Sequence, residues 1–141
     1  MGDAGGGGFY NSRERGMWNK IILLAAAGAV GTLARYWVSG ASYRVLGEGF
    51  AYGTLAVNVI GSLLFGIVWT LSEERMAISV MTRTVILVGF MGAFTTFSTF
   101  AFETMNYVRD SQYLFAFFNI TSNCVLGFGA IIIGMWIARI L

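Results

Sequence analysis

Four apolar stretches dominate this chain, and each is long enough to cross a lipid bilayer. A helix needs about 20 apolar residues to span the hydrocarbon core. The stretches cover residues 21–38, 52–71, 84–104 and 113–140, and the segments between them are short and polar. We therefore predict an all-α integral membrane protein with four transmembrane helices.

Composition indicates that lipid, not water, surrounds most of the chain. Of the 141 residues, 57% are hydrophobic and 11% are charged, whereas soluble domains carry about 25% charged residues. A soluble protein of this size could not hide so much apolar surface. We expect residues 1–19, which are polar and Gly-rich, to form a disordered tail, and residues 20–141 to form one membrane domain. The net charge of +2 is too small to indicate nucleic-acid binding.

The chain lacks the residues that most enzymes use for proton transfer. It has no histidine and one cysteine, Cys124, which excludes histidine catalysis, histidine metal ligands and an intrachain disulfide. Glu103 is the only acidic residue in the predicted spans, so no acid–base pair or activated nucleophile is evident. We predict that the protein is not an enzyme.

Three of the four spans carry polar or small residues at helical spacing, so that each set shares one helix face. The sets in the second, third and fourth spans are Thr54, Asn58, Ser62 and Gly66; Thr96, Thr99 and Glu103; and Asn119, Asn123 and Gly127. Such side chains can join helices by hydrogen bonds worth roughly 0.6 to 2 kcal/mol. Amides and carboxylates are rare at membrane depth and usually face a bundle interior or a water-filled path. The sets together favour a permeation pathway.

The third span contains the sequence GAFTTFSTFAFE at residues 92–103. Because glycine and threonine weaken helices, we predict a break near the middle of this span. A break frees backbone carbonyls that lipid cannot satisfy, so either a bound cation or a neighbouring hydroxyl must do so. Phe94, Phe97 and Phe100 recur beside the hydroxyls. Ring edges and hydroxyl donors could together bind a small anion weakly, although rings in a membrane span can also serve only in packing.

Positive charges give the spans almost no preferred orientation. Outside the tail, four lie on the N-terminal side and three on the other: Lys20, Arg75, Arg83 and Arg139 against Arg35, Arg44 and Arg109. Such a small bias is compatible with dual topology, in which copies insert both ways up, or with an orientation set by the arginines of the tail. Arg35 can reach the membrane interface with its charged end or attract anions to a vestibule.

The third-span sequence GFMGAFTTFSTFAFE, at residues 89–103, closely resembles the signature of the Fluc, or CrcB, family of fluoride channels. Supporting matches are GAVGTLARY at residues 28–36 and GTLAVNVIGSLLFG at residues 53–66. The resemblance covers about residues 20–141. It implies a channel that exports fluoride passively and selectively. It also implies an antiparallel, dual-topology homodimer with two pores, and a multi-pass protein of the cell inner (plasma) membrane.

The resemblance also implies roles for individual residues. Phe97 and Phe100 would line the pores, Asn58 would be the pore amide of the second span, and Ser98, Thr99 and Glu103 would lie along a hydroxyl track. Backbone carbonyls of Gly92 and Thr95 would bind a structural sodium ion at the dimer centre, and Arg35 would lie at the vestibule. We add Asn119 and Asn123 to the fluoride pathway because of the polar set in the fourth span.

Two alternatives keep four spans but change the function. A small multidrug-type exporter depends on a glutamate in the first span, where this chain has Arg35 and no acidic residue. A non-conducting scaffold subunit would use the polar sets only to join helices. An anion-flux assay on purified protein in liposomes separates these two alternatives from a fluoride channel.

Overall fold

The computed structural model describes residues 6–141, with side chains described at residue 14 and at residues 16–141. The elements are α1 (Gly6–Leu46), α2 (Tyr52–Glu73), α3 (Val80–Thr84), a π-helical segment (Val85–Met91), α4 (Gly92–Phe94), α5 (Phe97–Arg109) and α6 (Tyr113–Ile140). Four stretches are long and apolar enough to cross a membrane: Gly16–Leu46, Tyr52–Glu73, Val80–Arg109 and Tyr113–Ile140. The prediction of an all-α protein with four membrane spans is confirmed.

The first helix extends beyond the predicted span at both ends. Towards the C-terminus it continues past Val38, whose carbonyl accepts a hydrogen bond from Ser42 Oγ at 2.8 Å, and it ends before Gly47. Gly47 has a φ of +83° and donates its N–H to Tyr43 O at 2.9 Å, as glycine commonly does after a helix. At the other end α1 begins at Gly6. The disordered tail predicted for residues 1–19 stays a prediction, because residues 1–5 lie outside the described residues and residues 6–19 form the first part of α1.

Glycines allow the helices to pack with their backbones almost in contact. A Cβ atom added to Gly66 of α2 would meet the backbone oxygen of Ile131 in α6, and one added to Gly134 of α6 would meet that of Leu63. Gly31 of α1 makes a similar close approach to the π-helical segment. Small residues serve this purpose in membranes because lipid provides no hydrophobic drive to bring apolar helices together.

The third span divides between two neighbours. Its first part, up to Phe94, packs mainly on α1, while α5 packs mainly on α6. Thr95 and Thr96 lie between α4 and α5 in extended conformations, with ψ values of 161° and 110°. Thr96 caps α5, because its Oγ1 accepts the N–H of Thr99 at 3.2 Å. Polar side chains from three elements gather around this two-residue interruption.

Charged residues join the ends of α2, α3 and α6 at one end of the bundle. Arg83 pairs with Glu73, and Arg139 donates two hydrogen bonds of 2.8 Å to Glu74. Arg75 Nη1 donates to the carbonyl of Arg139 at 3.0 Å. The hydrogen bonds from Arg139 hold the pKa of the Glu74 carboxyl below its ordinary value.

Candidate ion pathway

Three adjacent cavities surround the interruption of the third span. The arginine cavity, of about 670 Å³, is lined by residues of α1 that include Arg35, and by Thr54, Thr96, Thr99 and Glu103. The threonine cavity, of about 380 Å³, includes Asn58, Ser62, Gly92, Thr95, Thr96 and Phe97 in its wall. The phenylalanine cavity, of about 230 Å³, includes Asn58, Ser62, Phe97, Phe100 and Asn123. Shared wall residues make the three cavities neighbours in one row.

Asn58 binds the interruption through both atoms of its amide. Its Oδ1 accepts the N–H of Thr96 at 2.9 Å, and its Nδ2 donates to the carbonyl of Thr96 at 3.3 Å. One side chain from α2 therefore satisfies both backbone groups of a residue that has left the helix. Buried backbone groups need such partners because hydrocarbon offers none.

The amides of α6 continue this arrangement as a relay. Asn58 Nδ2 also donates to Asn123 Oδ1 at 3.0 Å, and Asn123 Nδ2 donates to Asn119 Oδ1 at 3.1 Å. Asn119 Nδ2 donates to Thr104 Oγ1 at 2.9 Å, and Thr104 Oγ1 donates to Phe100 O at 2.8 Å. We call Asn58, Asn123, Asn119 and Thr104 the amide relay. It connects α2, α6 and α5.

The hydroxyls near the rings make fewer hydrogen bonds than the amides of the relay. Thr96 Oγ1 donates to Thr99 Oγ1 at 2.8 Å, so Thr99 accepts this bond, and its own proton has no acceptor among the described residues. Ser62 faces the threonine and phenylalanine cavities, and Ser98 is exposed. Among the described residues, neither serine hydroxyl makes a side-chain hydrogen bond. These hydroxyls are the donors that an anion could use without breaking an existing bond.

The two pore-ring candidates differ from their neighbour Phe94. The ring centroids of Phe97 and Phe100 lie 5.6 Å apart, with ring planes inclined at 54°. Phe97 lines two cavities and is 79% exposed, whereas Phe94 is 2% exposed and belongs to the core. The periodicity of three in the sequence therefore covers rings in two environments.

Glu103 lies at the wall of the arginine cavity and is held by two donors. Its Oε1 accepts from Thr54 Oγ1 at 2.8 Å and from Tyr43 Oη at 3.4 Å. Its Oε2 is buried and has no hydrogen-bond partner within the described residues. Arg35 lines the same cavity, but the described residues include no ion pair between Arg35 and Glu103. The carboxylate is thus fixed by neutral donors.

The carbonyls of Gly92 and Thr95 lose their usual helical donors. In an α-helix each carbonyl accepts the N–H four residues later. The N–H of Thr96, which would serve Gly92, donates to Asn58 Oδ1. The N–H of Thr99, which would serve Thr95, donates to Thr96 Oγ1. These two oxygens are therefore available to another partner.

The structure brings most of the predicted site residues together around the interruption, with two exceptions. Asn119 is completely buried inside the relay, and Ser98 is exposed and lines none of the three cavities. Sequence reasoning missed Tyr43 and Thr104. Tyr43 follows the predicted end of the first span, so its approach to Glu103 depends on the extension of α1. Thr104 could have been found from its position one helical turn after Phe100, on the same face.

The fold and these cavities define a multi-pass helical membrane protein with a row of ring- and hydroxyl-lined cavities at an interrupted helix. The family model described as CrcB-like protein, Camphor Resistance (CrcB), matches residues 22–135. The chain therefore belongs to the CrcB family, and the membership predicted from residues 89–103 is confirmed.

Several curated relatives match nearly the whole chain. The "Fluoride-specific ion channel FluC" of Solidesulfovibrio magneticus is 48% identical over 89% of this chain and 100% of the relative. The relative of the same name from Nitrosococcus oceani is 46% identical, with the same coverage. That from Maridesulfovibrio salexigens is 44% identical over 87% of this chain and 98% of the relative. The relatives are named as ion channels, in agreement with the prediction that this chain is not an enzyme.

Proposed function

We propose that this protein is a passive, fluoride-selective channel that exports fluoride across the cell inner (plasma) membrane. The names of its relatives support fluoride as the ion. The structural observation that carries the proposal is the set of hydroxyls near Phe97 and Phe100 whose protons have no acceptor in the described chain. Ser62 and Thr99 line the cavities, and Ser98 is exposed beside them. These groups provide donors for an anion along a row that runs through the interrupted span.

Fluoride is a small, hard anion, so a channel must replace its water shell with closely placed donors. Hydroxyl protons of Ser62, Ser98 and Thr99 supply such donors, and the positive edges of Phe97 and Phe100 add weak attraction. No lysine lies near the rings, so no fixed ammonium group would trap the ion. Several moderate contacts allow an ion both to enter and to leave. Chloride has a lower charge density and gains less from the same hydroxyls.

We propose that the functional unit is an antiparallel homodimer with two pores. Ser98 and Thr99 are exposed on the described chain near the middle of the third span, where lipid could not bond their hydroxyls. A second copy would cover this face and supply the opposite wall of each cavity. The near balance of positive charges on the two sides supports copies that insert in opposite orientations.

We also propose that a structural sodium ion occupies the dimer centre. The donor set fits sodium, because carbonyls of Gly92 and Thr95 have lost their helical donors and hard cations prefer oxygen ligands. One copy offers two such oxygens, and a second copy would double the number. When bound, sodium would supply positive charge that satisfies these carbonyls and joins the copies.

Ion flux from liposomes tests the proposed function. Purified protein is reconstituted into vesicles loaded with fluoride or chloride, and efflux is followed with an ion-selective electrode after a potassium ionophore is added. We expect rapid release of fluoride and much slower release of chloride. Equal release of both ions, or no release above that of protein-free vesicles, would contradict the proposal. Proton-driven movement of organic cations would instead favour the exporter alternative.

Accessibility labelling tests the inverted arrangement. A tag at the C-terminus should be reached by an impermeant reagent from both sides of the membrane in cells that express a single gene. Labelling from one side only would refute dual topology without touching the flux result.

A further inference from the structure

Asn119 differs from every other polar residue assigned to the ion pathway, because it is completely buried. It lines none of the three cavities around the interruption, so it cannot touch an ion there. Its amide nevertheless makes hydrogen bonds at both ends, from Asn123 Nδ2 at 3.1 Å and to Thr104 Oγ1 at 2.9 Å. An amide that is bonded at both ends at this depth acts through the residues that it contacts.

The relay fixes the direction of each hydrogen bond. Thr104 Oγ1 uses its proton for Phe100 O, so it must accept from Asn119, which directs Nδ2 of Asn119 towards α5. Oδ1 of Asn119 then points to Asn123 and accepts a hydrogen bond from Asn123 Nδ2. Asn123 Nδ2 also donates to the backbone carbonyl of Asn119 at 3.0 Å. Asn123 is thereby obliged to present its oxygen to Asn58.

The consequence reaches the interruption of the third span. Because Asn123 presents its oxygen, Asn58 must present Nδ2 to Asn123. Oδ1 of Asn58 is then left to accept the N–H of Thr96. If Asn123 were turned over, two NH₂ groups would face each other across α2 and α6. Asn58 would then lose a bond or turn over and leave the N–H of Thr96 without an acceptor.

We infer that Asn119 is a positioning residue for the ion pathway, which acts through Asn123 to fix the amide of Asn58 on Thr96. This inference rests on the proposed function for its effect on flux, but not for its effect on the backbone. It replaces the direct contact with fluoride expected from the polar set of the fourth span. A fixed Asn58 keeps Thr96, and hence Phe97 and Thr99, in place at the cavities.

Hydrogen exchange and flux together test the inference. Asn119→Leu removes both ends of the amide and keeps the branched shape and the number of heavy atoms. We expect faster hydrogen exchange at the amide of Thr96, which lies on another span. We also expect a fall in fluoride flux of about tenfold, or roughly 1.4 kcal/mol in the barrier. Thr121→Val is the matched control, because Thr121 lies on the same helix and makes no side-chain hydrogen bond among the described residues. It should leave both quantities unchanged.

A double variant separates positioning from an independent structural effect. Residues that act as one unit have non-additive effects, so Asn119→Leu should lower flux little further when Asn123→Leu is already present. The inference would be overturned if the two single effects on flux multiply in the double variant. It would also be overturned by an unchanged exchange rate at Thr96 in a well-folded Asn119→Leu protein.

A gentler variant covers the case in which Asn119→Leu does not fold. Thr104→Val keeps the volume, removes the acceptor of Asn119 Nδ2 and allows the Asn119 amide to turn. It should speed exchange at Thr96 to a smaller degree, and wild-type exchange in this variant would count against the inference. If the wild-type protein shows no fluoride flux, the proposed function fails, while the exchange measurement still decides whether Asn119 positions Asn58.

Discussion

Gly61→Ala tests the packing that holds the interruption of the third span in place. Gly61 is buried on α2, one turn after Asn58, and faces the third span. A Cβ atom added there would meet Cγ2 of Thr95 and would lie 3.3 Å from Cδ1 of Phe94. The substitution therefore pushes directly on the residue at which the helix is interrupted.

Neither neighbour of Gly61 can move without loss. Thr95 Oγ1 donates to Met91 O at 3.0 Å, so rotating the side chain breaks a bond worth about 0.5 to 1.5 kcal/mol. Phe94 is 2% exposed and stacks on Phe90 with centroids 5.6 Å apart. Overpacking such a site costs about 1 to 3 kcal/mol, whereas alanine gains about 1 kcal/mol of helix propensity over glycine. We expect a net loss of roughly 0.5 to 3.5 kcal/mol from these terms.

Gly129→Ala is the matched control on α6. A Cβ atom at Gly129 meets nothing within 4 Å in the described chain, so only the gain in helix propensity, up to about 1 kcal/mol, remains. Thermal unfolding in detergent, followed by tryptophan fluorescence, should rank Gly129→Ala at or above the wild type and Gly61→Ala below it. Flux should fall in Gly61→Ala alone. Equal stability of both variants and full flux in Gly61→Ala would refute the packing argument.

Three further predictions concern other parts of the molecule. Phe97→Ile should lower fluoride flux by at least about tenfold, or roughly 1.4 kcal/mol in the barrier, with little loss of thermal stability. Phe94→Ile should mainly lower thermal stability, since of these two rings only Phe94 is buried. Normal flux in Phe97→Ile would contradict a role of that ring in the pore. If the proposed dimer binds sodium, Thr95→Ser should keep its sodium-dependent thermal stability, because the proposed ligand is a backbone oxygen. Loss of that dependence in Thr95→Ser would implicate the side chain instead. Arg139 lowers the pKa of the Glu74 carboxyl. The ion pair therefore stabilises this end of the bundle at pH values above the ordinary glutamate pKa, and that stabilisation is lost as the pH falls through the lowered pKa. Hydrogen exchange at the end of α6 should rise on acidification, and it should rise less in Glu74→Gln.

The sequence was sufficient to predict the four membrane spans, because the bilayer determines their length and apolar character. It also identified the side chains that meet at the interruption, since helical spacing places Asn58, Thr96 and Asn123 on faces that must avoid lipid. It did not reveal which polar atoms would bind each other. Spacing shows that Asn119 shares a face with Asn123, but the direction of donation depends on Thr104, on another helix. The approach of Tyr43 to Glu103 likewise depends on the extension of α1 beyond the apolar stretch.

The interruption of the third span leaves both N–H and carbonyl groups of the backbone without their helical partners, and the two kinds of group differ in the partners that replace them. The N–H groups of Thr96 and Thr99 receive fixed acceptors within the chain, from Asn58 Oδ1 at 2.9 Å and Thr96 Oγ1 at 3.2 Å. Those bonds take away the donors that the carbonyls of Gly92 and Thr95 would otherwise use. A break that gives these two N–H groups internal acceptors leaves the two carbonyls to another partner, either a neighbouring donor or a cation. This asymmetry is the reason for placing the proposed cation at these two carbonyls.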